Sequence, residues 1–158
     1  MRKNEMYLKC FSISPLSVLM WSHYADCHKG ICVGYNFNLA SDEILEHLYP
    51  IQYSDTRYFS AHPDTLKNNR YFFIRKSTEW DYEKEWRLIY KNKELPHSGS
   101  STTPRELLQL DIIKEVTFGL GTSETSKKII MDTLCGRGIR FFQIKVDDES
   151  YELIGEEI

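Results

Sequence analysis

The chain has 158 residues, 20 Lys and Arg against 23 Asp and Glu, a formal net charge of −3 and a pI near 6.0. Apolar residues make up 41% and charged residues 27%, which fits a folded domain and argues against disorder. No apolar run exceeds four residues, so a membrane span of about 20 is excluded, and the mild acidity gives no reason to expect a nucleic-acid partner. The length suits one domain over residues 1–158. Met1-Arg2-Lys3-Asn4-Glu5 lacks the apolar stretch of a secretory signal, so the reducing cytosol is the expected compartment. The four cysteines, at 10, 27, 32 and 135, are then expected as free thiols.

Tyr7–Ser12 reads as a strand that leads into Ser14-Pro15. Ser14 as N-cap and Pro15 at the first helical position predict a short helix, with Leu16, Leu19, Met20 and His23 as its apolar stripe. Ile31–Phe37 follows Gly30 as a second strand. Ser41 predicts a capped helix from Asp42 to Leu48, Tyr49–Tyr53 is extended, and Pro63-Asp64 opens a helix toward Arg75. In the strand Glu85–Lys91, period two puts Trp86, Leu88 and Tyr90 on one face and Glu85, Arg87 and Ile89 on the other. His97–Pro104 has loop composition. Val116–Leu120 is a strand, Ser123–Cys135 a helix stopped by Gly136 and Gly138, and Ile139–Val146 with Tyr151–Gly155 a closing antiparallel pair. Strands and helices mix without strict alternation, which predicts an α+β domain with a central mixed, largely antiparallel sheet flanked by helices.

Charge is unevenly spread: residues 66–93 carry eight Lys/Arg and four Asp/Glu, residues 140–158 two and six. The segment Lys76–Arg87 is the chemically dense one. If extended backbone starts by Glu83, then Glu83, Glu85 and Arg87 share a face, with the carboxylates about 7 Å apart. Such a trio is either an ion-pair ladder or a site in which a fixed anion faces a developing cation. His23, Cys27, His28 and Cys32 offer four soft ligands, but the two pairs interleave where zinc modules keep them apart, so no metal is expected. His23 reads as a core histidine bonded to a carboxylate or as a general base. Trp21, Tyr24 and His28 form a second helix face that could stack on a planar ring or pack under Trp80. Gly119-x-Gly121 between strand and helix lacks the third glycine of a phosphate loop and is read as a tight connection.

Two resemblances follow from these residues. Cys10-Phe11-Ser12, Leu19–Ala25, His28–Tyr35, and Lys76 with Trp80-x-Tyr82-Glu83-x-Glu85-Trp86-Arg87 resemble an uncharacterised bacterial family that carries no agreed activity. Its members usually carry an upstream segment that this sequence does not show, so the expectation is a shortened version or a site completed elsewhere. Glu83-Lys84-Glu85 ahead of a strand, together with Phe11-Ser12-Ile13-Ser14 at a strand end, is more distantly similar to the Glu-x-Glu and Ser-Thr-Ser elements of mono-ADP-ribosyltransferases. That likeness implies NAD as substrate. Glu85 would support the ribosyl cation, Glu83 would help the acceptor, and Ser12 and Ser14 would shape the pocket. Trp21, His23, Tyr24, His28, Lys76, Trp80 and Arg87 complete the candidate substrate-binding set. The transferases also use an Arg or His on an earlier strand, and Arg2 is the only such residue before Ser12. The function expected is thus an ADP-ribosyltransferase-like NAD or nucleotide-binding protein, with a nucleotide or a protein acceptor as partner. The rival is a non-catalytic interaction module, in defence or signalling, whose motif residues form a buried polar network.

Overall fold

Glu85-Trp86-Arg87-Leu88-Ile89-Tyr90-Lys91 forms a seven-residue strand with the expected limits. In the computed structural model, which describes residues 6–56, 73–91 and 110–158, this strand is the middle of a sheet. Leu88, Ile89 and Tyr90 are consecutive and fully buried, so both of its faces are covered. The strands in chain order are β1 Met6–Ser12, β2 Ile31–Tyr35, β3 Leu48–Pro50, β4 Gln52–Tyr53, β5 Arg75–Lys76, β6 Glu85–Lys91, β7 Ile113–Phe118, β8 Arg140–Val146 and β9 Leu153–Glu157. The α-helices are α1 Val18–Tyr24, α2 Asp42–Leu45 and α3 Glu124–Leu134. The α+β class is as expected, and the strands among the described residues fall into three sheets. No helix among the described residues is long and apolar enough to cross a membrane.

The chain divides into two compact units. The first, residues 1–13 and 42–107, holds the antiparallel sheet β1-β6-β3 and the short parallel pair β4-β5. Tyr90 stacks on His47 with 4.3 Å between ring centroids, and the Ile89 amide donates to the His47 carbonyl. Burial lifts the Tyr90 hydroxyl to about 12. The helix expected over 42–48 is shorter, because Leu48 leaves it to pair with Leu88. The helix expected from Pro63 and the loop His97–Pro104 lie outside the described residues.

The second unit, residues 14–41 and 108–158, holds the sheet β2-β7-β8-β9. Here β7 and β8 are parallel with α3 between them in sequence, and the other two pairings are antiparallel. The helix expected over Ser123–Cys135 is present as α3, with Ser123 as its N-cap and with Gly136 and Gly138 at positive φ after it. Helix α1 departs from expectation. Ser17, not Ser14, is its N-cap, and Ser14 Oγ instead accepts the Leu16 amide. The indole of Trp21 donates to the Pro15 carbonyl at 2.6 Å, which ties Pro15 into a side-chain contact ahead of the helix. The buried face of α1 is carried by Trp21, packed with Ile144 and Leu153, whereas Leu16, Leu19 and His23 of the expected stripe are exposed.

Gly119 and Gly121 make the tight connection. A Cβ on Gly119 would lie 2.2 Å from the His28 carbonyl oxygen, so only glycine permits this approach. Gly119 donates to the Gly30 carbonyl, Gly121 to that of His28, and Thr122 Oγ1 to Gly30 again.

Candidate functional site

Ser12 pairs with Glu85 and Cys10 with Arg87 across β1 and β6. Side chains of facing residues lie on one side of a sheet, so Cys10, Ser12, Glu85 and Arg87 share a face. Glu83 reaches this face by a route the sequence reading did not contain. Residues Thr78–Glu83 form a 3-10 turn, and Lys84 then takes a left-handed conformation (φ 43°), so the extended backbone starts at Glu85 and not by Glu83. The shared strand face for Glu83 and Glu85 is therefore corrected: a common cation joins them.

That cation is Lys76. Its Nζ binds Glu83 Oε2 and lies 3.2 Å from Glu85 Oε2. Arg87 grips the same carboxylate with two hydrogen bonds, Nε to Oε1 at 2.7 Å and Nη2 to Oε2 at 2.9 Å. Its Nη1 donates to the Phe73 carbonyl at 2.5 Å. Two anions thus meet two cations, and Glu83 and Glu85 are only 3% and 6% exposed. Burial alone would raise the Glu85 carboxyl, but hydrogen bonds from Arg87, Cys10 and Lys76 outweigh it and bring the pKa down to about 2. Burial likewise disfavours the charged ammonium of Lys76, yet its bonds to Glu83 and Glu85 hold it above its ordinary value. Cys10 as a residue is exposed, but its thiol, partly desolvated on this face and hydrogen-bonded to the Glu85 carboxylate, is pushed up to about 11.

Trp80 and Tyr82 stand beside the quartet, with ring centroids 6.0 Å apart, and Lys76 Nζ lies 4.8 Å from the centre of the Trp80 ring. The Glu85 amide donates to the Tyr53 hydroxyl at 2.7 Å. Tyr53 escaped the sequence reading because it lies 32 residues from Glu85, placed by the pairing of Tyr53 with Lys76 in the two-residue strands β4 and β5. Cys10 was legible in principle, two residues before Ser12 on the same strand.

The remaining predicted residues belong to the second unit. Trp21 stacks on His28, with centroids 6.3 Å apart and planes at 15°. Ser22 Oγ donates to the Val18 carbonyl at 2.9 Å and lies 3.1 Å from His28 Nε2. The Ser22 hydroxyl thus lies between the Val18 carbonyl and the His28 ring. Asp26, Cys27 and His28 all have positive φ, and the Trp21–Ser22–His28 contacts fix that turn. His23 is exposed and edge-on to Tyr24, so the core-histidine reading is corrected. Tyr24 is 63% exposed. Among the described residues no group of three or more His, Cys, Asp or Glu is placed to hold a metal ion.

Residues 20–88 match the family model described as "Protein of unknown function (DUF2971)". The match takes in both the Trp-Ser-His-Tyr helix and the Glu-x-Glu turn, and it ends within β6. No curated protein and no solved structure matches the chain.

Proposed function

We infer that the chain is an ADP-ribosyltransferase-like protein that binds NAD or a related nucleotide at the Glu83–Glu85 face of its first unit. The observation that carries this reading is the pairing of Ser12 with Glu85, a serine strand end set beside a Glu-x-Glu carboxylate. Cleavage of the nicotinamide–ribose bond sends the electron pair to nicotinamide and leaves positive charge on the sugar. Water or an acceptor group then adds at that carbon and loses a proton. A carboxylate that stays ionised at any physiological pH, as Glu85 does, stabilises such a cation without reorganising. Glu83 would serve the acceptor, Ser12 would shape the pocket, and Trp80, about a third exposed, would add a planar ring beside it. For Glu85 to meet a ribose hydroxyl, Lys76 must release Oε2. That contact, at 3.2 Å, is longer than either Arg87 bond to this carboxylate, and Lys76 keeps Glu83 as partner when it lets go.

One observation favours a second reading. Arg87 and Lys76 between them fill both oxygens of Glu85, as in a structural network, and this suits a non-catalytic interaction module. Turnover separates the two. NAD consumption is measured for the parent, Glu85→Gln and Glu83→Gln, each well below its melting temperature. On the transferase reading Glu85→Gln abolishes consumption, and Glu83→Gln spares hydrolysis but impairs transfer. No consumption by the parent, with a lower melting temperature in both variants, assigns the carboxylates to structure.

A further inference from the structure

A hollow of about 490 Å³ in the second unit is lined by Gly34, Tyr35, Asn36, Lys114, Glu115, Gly138 and Arg140. Its floor is a row across three strands. Gly34 faces Glu115 on β7, and Glu115 faces Arg140 on β8. A Cβ on Gly34 would come within 2.9 Å of the Glu115 Cβ, so the glycine lets Glu115 lie over it and reach the Arg140 guanidinium. The pairing of β2 with β7 then slips: Gly34 faces Glu115 but Tyr35 faces Ile113, which leaves Lys114 as an extra residue in a bulge. Bulges re-aim side chains and recur beside binding sites. Here the re-aimed residue is a lysine that lines the hollow and has no ion pair among the described residues. Arg140 is half-exposed, so its bond to Glu115 is worth little against a stronger anion. The hollow therefore holds two cations against one anion, beside the Tyr35 ring and two glycines that give close access to backbone.

We propose that this hollow binds a small aromatic phosphomonoester, with the phosphate between Lys114 and Arg140 and the ring against Tyr35. The phosphate class follows from the charge and from the bidentate geometry that Arg offers to it. The volume falls in the range of small-molecule sites. The site is independent of the reading of Glu85, which lies in the other unit.

The test is an NMR titration of the full chain with phenyl phosphate, with phenol as the neutral control. The expected result is saturable shifts at the amides of Gly34, Asn36, Lys114 and Gly138, weaker at high salt. Lys114→Met should loosen binding by about tenfold or more, since one charge-assisted contact is lost, while the amide spectrum elsewhere is kept. Glu85→Gln should leave the affinity unchanged. Absence of saturable shifts, equal binding of phenol, or undiminished affinity in Lys114→Met would each overturn the proposal.

Discussion

Replacing Glu85 by Gln removes one charge and keeps the shape, so it reads the electrostatic worth of the quartet. In the folded chain the carboxyl titrates at about 2, against an ordinary 4.5. A shift of that size corresponds to about 3 kcal/mol of stability at neutral pH. Arg87 and Lys76 are partly open to water, with 17% and 21% of their side chains exposed. Solvent can therefore take over some of their bonding, and about 2–3 kcal/mol is the expected loss in the variant. The pH dependence has a definite sign. The folded pKa is depressed, so the unfolded state takes up its proton first as pH falls. The stabilisation is complete above the unfolded value and drains away below it; more than half is gone by about pH 3. Urea denaturation of parent and Glu85→Gln at about pH 7 and about pH 3 measures this. The gap between the two proteins should be large at neutral pH and shrink in acid. A gap that stays constant with pH, or one below about 0.5 kcal/mol at neutral pH, would refute the account of Glu85 as an ionised, clamped carboxylate.

Cys10 should alkylate slowly with iodoacetamide at about pH 8, because a thiol held at about 11 instead of 9.0 carries roughly a hundredth of the thiolate; Glu85→Gln should speed it, as read by mass spectrometry of the Cys10 peptide. Gly119→Ala should cost at least about 2 kcal/mol in thermal or urea unfolding, since its Cβ would strike the His28 carbonyl. Gly136→Ala is the control: it meets nothing within 4 Å and carries only the left-handed backbone cost of about 1–2 kcal/mol.

The elements that were legible in the sequence are those whose signals are local. Strand β6 keeps its expected limits Glu85–Lys91, and α3 has Ser123 before it and Gly136 after it. Helix α1 misled because Ser14-Pro15 is a good cap in isolation. The Trp21 indole claims the Pro15 carbonyl and Ser17 takes over the cap, a choice made by packing of Trp21 against Ile144 and Leu153. Within the candidate site, Glu85 with Arg87 was readable from a spacing of two. The place of Glu83 was not, because a single left-handed residue at Lys84 ends the alternation. Lys76 joins through β5 and Tyr53 through β4, and nothing in either neighbourhood announces that pairing.

If NAD binds at the Glu83–Glu85 face, calorimetric titration of the chain with NAD at neutral pH should give a saturable heat for the parent that is weakened in Glu85→Gln, measured while both proteins are folded. No heat from the folded parent, or equal affinity in Glu85→Gln, would contradict it.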